Sequence, residues 1–137
     1  MVGAVFLDVE RWVDSFPRIE VCTAYGIFDL RNYAEIEAIN IAPQMASMTL
    51  VFLCYPDGRT ADTEEFTVML KFSGIRDLRI SQAEDFDVRA CAFKGIVHDI
   101  EGIRSRFVID LGDMDCEFHA ESFQVYKADG VIPVTFQ

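Results

Sequence analysis

Apolar residues recur at every second position along most of this chain, and that period belongs to strands with one buried face. The clearest case is Phe66, Val68, Leu70 and Phe72, with Thr67, Met69 and Lys71 turned the other way. Ile36, Ala38, Ile39 and Ile41 read as a second strand. Its phase slips between Ala38 and Ile39, which predicts a bulge there, and Pro43 closes it. Met48–Tyr55 (MTLVFLCY) is apolar on both sides, as in a strand covered on both faces. The turn residues PDGR, Pro56 to Arg59, follow it. Leu78 and Ile80 mark a short strand beyond Ser73-Gly74. Val88–Ile100 reads as one long strand, with Cys91, Phe93 and Val97 on one face and a kink at Gly95. Phe107, Ile109 and Leu111 form another inward row. Gly112-Asp113 then leads tightly into a strand that begins at Met114.

The N-terminal stretch breaks this rhythm. Asp8 is placed as a cap, Val9, Trp12, Val13 and Phe16 fall at i, i+3, i+4, i+7, and Pro17 stops the run. That spacing predicts a short helix with Trp12 on its core face. The segment from Arg18 to Asn32 fits neither period cleanly, since Ile19 and Val21 alternate and Gly26 soon interrupts. Short strands at regular turn intervals, with helix confined to the N-terminal third, give a β-rich α+β fold. The expectation is an antiparallel sheet or meander, arranged as a sandwich or open barrel. A purely all-β chain is the alternative.

The length, 137 residues, fits a single domain spanning 1–137, with no linker or internal repeat. Hydrophobic residues at 51% are enough to form a packed core. The 23 acids outnumber the 12 bases, for a net charge of −11. Such a chain repels phosphate backbones and anionic lipid surfaces, so neither nucleic acid nor membrane is an expected partner. A basic protein would be attracted. Cys22, Cys54, Cys91 and Cys116 lie far apart in apolar runs without zinc-type spacing, and read as buried free thiols in a reducing compartment. MVGAVFLDVERW lacks the basic start of a secretion signal, so the cytoplasm is the expected location.

The stretch DMDCEFHAE, Asp113 to Glu121, gathers four acids, a Cys and a His. Alternation sends Met114, Cys116, Phe118 and Ala120 to one face. Asp113, Asp115, Glu117, His119 and Glu121 take the other. Cys116 is thereby turned away from His119, and same-face neighbours sit roughly 6.6–6.8 Å apart at the backbone. A full metal site would need donors from a neighbouring strand, such as His98, whereas an acid–base pair would be Glu117 with His119 on this same face. A solvated acidic strand face explains the pattern without any site, so no catalytic residue, metal or cofactor is assigned. Gly-rich phosphate loops, GxSxG and HExxH are missing from the sequence.

Three ordered segments carry a family resemblance: YAEIEAINI (Tyr33 to Ile41), MTLVFLCY, and FTVMLKFSGIRDLRI (Phe66 to Ile80). HDIEGIRSRFVIDLGDMDCEFHAESFQV follows as the closing strands. The arrangement, from Tyr33 to Val125, resembles the immunity protein 50 family of bacterial polymorphic toxin systems. In the first segment Tyr33 takes the family's aromatic position, and Glu35 and Glu37 its two carboxylate positions. Ala34 stands where the family has a His, which removes any role for that imidazole. The resemblance implies a non-enzymatic protein that neutralises a cognate toxin, expected to be basic. Asp113, Asp115, Glu117, His119 and Glu121, with Glu35 and Glu37, are the candidate partner-binding residues. A ligand-binding or enzymatic β-cavity protein, and a homodimer or higher homo-oligomer joined through one face of MTLVFLCY, are the alternatives.

Overall fold

The alternating rows become strands, and their register shows how they are assembled. A computed structural model describes residues 5–7, 9–15, 18–23, 26–58, 62–82, 84–85, 93–101 and 104–129; for 5–7, 9–15, 95–101, 104 and 129 only the backbone is described. The strands are β1 (Val5–Leu7), β2 (Val9–Ser15), β3 (Arg18–Thr23), β4 (Ile27–Asp29), β5 (Ala34–Ala42) and β6 (Ser47–Cys54). They continue with β7 (Phe66–Ser73), β8 (Arg76–Gln82), β9 (Gly95–Glu101), β10 (Arg104–Asp110), β11 (Met114–Ala120) and β12 (Ser122–Asp129). A five-stranded sheet runs β1-β12-β7-β6-β5, a four-stranded sheet β8-β11-β10-β9, and a three-stranded sheet β2-β3-β4. The pairings within them are antiparallel.

The two larger sheets face each other across a phenylalanine core. Phe72 of β7 lies 4.9 Å from Phe107 of β10 and 5.0 Å from Phe118 of β11, ring centre to ring centre, both edge-on. Phe123 of β12 completes the group at 5.1 Å from Phe72. Edge-to-face contacts of this kind add to the burial of the rings themselves. The three-stranded sheet packs where β6 and β7 pair Cys54 with Phe66; there Phe28 meets Phe66 at 5.6 Å.

The expected N-terminal helix is not formed. Val9–Ser15 is a strand, paired with β3 from Val9↔Thr23 to Ser15↔Arg18. Asp8, Phe16 and Pro17 lie outside the described residues, as does the side chain of Trp12. Seven residues are too few for a helix to hold by itself, and Val9, Trp12 and Val13 favour extended backbone. The adjoining RIEVCT offers a ladder that a helix would forgo, and its burial is nearly continuous. Among the described residues there is no α-helix, only a 3-10 turn at Pro43–Met45. The all-β alternative is therefore the better account. The bulge in β5 falls one step earlier than expected, between Ile36 and Ala38, so Glu37 is the extra residue. The long strand expected over Val88–Ile100 is shorter: β9 starts at Gly95, and residues 86–92 lie outside the described residues.

Two chain segments turn from one sheet into the other at a shared corner. β7 ends at Ser73 and β8 begins at Arg76; β11 ends at Ala120 and β12 begins at Ser122. The Glu121 amide donates to the Ser73 carbonyl at 2.9 Å. Gly74 sits at φ +67, and a Cβ placed there would lie 2.7 Å from both Cβ and Cγ of Glu121. The Cβ is fixed by the backbone and cannot swing away, whatever rotamer the Cγ takes. Gly74→Ala is expected to cost about 2–3 kcal/mol, from left-handed backbone strain plus the overlap. Urea unfolding checks it, and Glu121→Gly in the same background should recover the overlap part but not the strain.

Candidate functional site

The alternation read in DMDCEFHAE is present. Met114, Cys116, Phe118 and Ala120 are buried, while Asp115 is exposed and Glu117 and His119 are half-buried. Asp113 and Glu121 flank the strand in the connections at its two ends.

The acidic row is not left to itself, because register brings cations to it. Glu117 lies opposite Arg79 of β8, and His119 opposite Arg76 on one side and Arg106 on the other. Arg106 reaches diagonally to Glu117, its Nε and Nη2 donating to Oε1 at 3.0 and 2.7 Å. His119 Nδ1 stands 3.5 Å from Asp77 Oδ2. Asp115 faces Asp110 and Ser81 across the two ladders. The face is thus a mixed-charge ladder whose most negative part is the Asp110–Asp115 pair.

The hydrogen bonds and charge of Arg106 hold the Glu117 carboxyl below its usual range. A depressed carboxylate stays ionised as the pH falls, so its contribution to stability is present above the unfolded pKa and fades as the pH drops through the folded one. In a side-chain NMR titration Glu117 should protonate at lower pH than an ordinary Glu, and Arg106→Gln should move it back up. An unmoved midpoint would mean the pair is not formed in solution.

His98 and His119 lie on different strands, β9 and β11, on either side of β10. His98 pairs with Phe107 and His119 with Arg106, neighbouring residues of β10 and therefore register positions of opposite parity. No group of three potential metal ligands occurs among the described residues.

A different cluster forms where the three-stranded sheet meets β6 and β7. The strand end Cys54-Tyr55, the β4–β5 connection and the start of β7 converge there, tied by the Tyr55 amide donating to the Tyr33 carbonyl at 2.8 Å. Asp29 is buried and organises the turn into β5. Its Oδ1 accepts from the amides of Arg31 and Asn32 at 3.1 and 3.2 Å, and its Oδ2 from Asn32 Nδ2 at 2.8 Å. Phe28, Phe66, Tyr33 and Tyr55, with Asp29 and Asp57, border a small cleft open to solvent. Its enclosed part has room for about one water molecule.

Charge accumulates at this end. The Tyr55 phenol is pushed above its ordinary pKa by lost hydration, by the hydrogen bond it donates to Glu35, and by the charges of Glu35, Glu65 and Glu37. Glu35 and Glu37, expected as partner-binding residues, are exposed here on β5, together with Glu64 and Glu65. Tyr33 beside them is 44% exposed. In the sequence Glu65 belongs to an acidic cluster with Asp57, Asp62 and Glu64 around the PDGR turn; its meeting with Tyr55 and Glu35 was not legible, because these segments come together only through the β5–β6 and β6–β7 registers.

Beneath the cleft lies a buried ion pair that the strand pattern conceals. Lys127 continues the inward row Phe123, Val125 of β12 and is paired in register with Val68. Its Nζ is 3.0 Å from Asp62 Oδ1 and 5.2 Å from the centre of the Phe66 ring. The only sequence signal was a lysine in an apolar phase. Burial pushes the neighbouring Cys54 thiol up to about 12, and Asp62 and Asp57 add to this, against the Val68 backbone bond and Lys127. Such a thiol is protonated at neutral pH and is a poor nucleophile. Cys22, Cys54 and Cys116 are all free and buried, as expected, and Cys91 lies outside the described residues.

No family model and no curated protein matches the chain. It is similar to a solved structure described as the crystal structure of an uncharacterized protein from Neisseria gonorrhoeae. The two are 14% identical with a TM-score of 0.49, over 68% of this chain and 89% of that one.

Proposed function

We propose that this chain is a non-enzymatic binding protein of the immunity type, which neutralises a basic toxin by docking it on an acidic surface. The observation that carries the reading is the group of exposed carboxylates Glu35, Glu37, Glu64 and Glu65 at the end of the sheet that holds Tyr55; the Tyr55 phenol, raised first by lost hydration and by its hydrogen bond to Glu35, also feels the charges of Glu35, Glu65 and Glu37. Potential concentrated in one place steers an oppositely charged partner and aligns it. This end is the better choice for the docking surface than the β11 row, where Arg76, Arg79 and Arg106 offset the carboxylates. The net charge of −11 acts in the same direction at longer range. Inhibition needs occlusion only, so no catalytic group is required of the chain. The setting is the cytoplasm of the cell that makes the toxin.

The test is rescue of growth. The proposal expects a toxin domain encoded beside this gene, and its expression should be tolerated when the chain is co-expressed. Glu35→Lys with Glu37→Lys and Glu65→Lys should abolish the protection and slow association by about tenfold or more at low salt. Equal protection by the charge-reversed protein would remove this surface from the interface.

A further inference from the structure

We infer that the outer edge of β5 receives an extended, lysine-bearing segment of the protein partner, paired backbone to backbone as an added strand of the five-stranded sheet. This deepens the docking surface proposed above and rests on that reading.

β5 stands at the end of the order β1-β12-β7-β6-β5, so β6 occupies one of its sides and no strand among the described residues occupies the other. It is nine residues long, enough for several ladder bonds. At its start the Tyr33 carbonyl accepts from the Tyr55 amide, and backbone direction alternates from there. Ala34 and Ile36 therefore turn their amides and carbonyls away from β6, toward the open side. An edge of this kind is a template for another strand. Of its side chains, Glu35, Glu37 and Ile41 are exposed and only Ala38 is buried.

Charge selects the occupant. Glu35 and Glu37 sit on the strand itself, and the sequence from Tyr33 to Gly58, which makes β5 and β6, holds no Lys or Arg. Lys71 is two strands in and level with Asn40, past the glutamates. Opposite charges facing each other across a ladder stabilise it, and like charges oppose it. A second copy would bring its own glutamates to the edge and is disfavoured, as is any acidic segment. A lysine-bearing strand is favoured. Toward the other end Ile41 is 44% exposed although its ladder partner Met48 is buried, which leaves an apolar contact for the added strand. The other edges with described side chains fit less well. β4 has three residues, and β8 carries Arg76 and Arg79 and is interrupted by Asp77 in the left-handed region at φ +55.

The probe is a capped hexapeptide that alternates lysine and valine, titrated at low salt while backbone NMR signals and amide hydrogen exchange are followed. The expected result is binding that shifts the β5 signals and slows exchange at Ala34 and Ile36. Glutamate in place of each lysine should abolish it. So should N-methylation of all the peptide's residues, which keeps side chains and charge but removes the backbone donors. Glu35→Lys with Glu37→Lys, at exposed positions that leave the core intact, should weaken the parent peptide about tenfold or more. Unchanged exchange at Ala34 and Ile36, or equal binding of the N-methylated peptide, overturns the inference. The two readings fail separately. If charge reversal abolishes protection against the toxin while the peptide leaves β5 exchange untouched, edge pairing is wrong and the acidic surface stands. If the peptide pairs with β5 but the charge-reversed protein protects as well as before, edge pairing stands and the toxin-docking reading falls.

Discussion

Lys127→Ala should destabilise the protein by about 3–5 kcal/mol, as expected when one partner of a buried ion pair is removed. The side chains of Lys127 and Asp62 are only 6% and 10% exposed, and their charged atoms are 3.0 Å apart. Taking away the ammonium leaves a carboxylate in a pocket made for a cation, beside a thiol and an aromatic ring. That carboxylate must then take up a proton or draw in water, and either outcome costs stability. Replacing both, as Lys127→Met with Asp62→Leu, removes the two desolvated charges together and should restore most of the loss. Urea denaturation of the two singles and the double gives the coupling directly. A Lys127→Ala loss below about 1 kcal/mol would mean that water reaches the pair, as it does in exposed pairs.

Phe72→Ala is expected to cost about 3–5 kcal/mol, with a fall in Tm of about 10–15 °C. Phe72 is fully buried and joins both large sheets, touching Phe107 and Phe118 of one and Phe123 of its own. Neighbours from three different strands cannot close in together on the space an alanine leaves, so the cavity persists. Met45→Ala is the control. That residue is 68% exposed and should change stability by less than about 0.5 kcal/mol. Calorimetry on the pair tests the claim, and similar losses at both positions would refute the central role given to Phe72.

Rows with one buried face were legible because the period of two leaves no choice of side. Phe66 to Phe72, Phe107 to Leu111 and Met114 to Ala120 all take the faces their spacing predicts. Val9–Ser15 was not legible, since Val9, Trp12 and Val13, at helical spacing, also occupy strand positions, and a neighbouring strand decided the matter. Lys127 was hidden because the partner that makes its inward position tolerable, Asp62, comes from a loop 65 residues earlier in the chain. The candidate site was half legible. Glu35 and Glu37 could be picked from one segment, whereas Tyr55, Glu65 and the aromatic walls of the cleft belong to several. The arginines that temper the β11 row come from β8 and β10, and no pattern within one strand reveals which residues its neighbours will set opposite.

The order β1-β12-β7 has a consequence for how the chain comes to be folded. β1 leaves the ribosome well before the strand it pairs with, Ser122–Asp129. β1 must therefore wait until the strands β2 to β11 have been made before its ladder can form. Contacts so distant in sequence slow the search for the native arrangement. During that wait the half-built sheet presents the open side of β7, where β12 belongs, to other nascent chains and to chaperones.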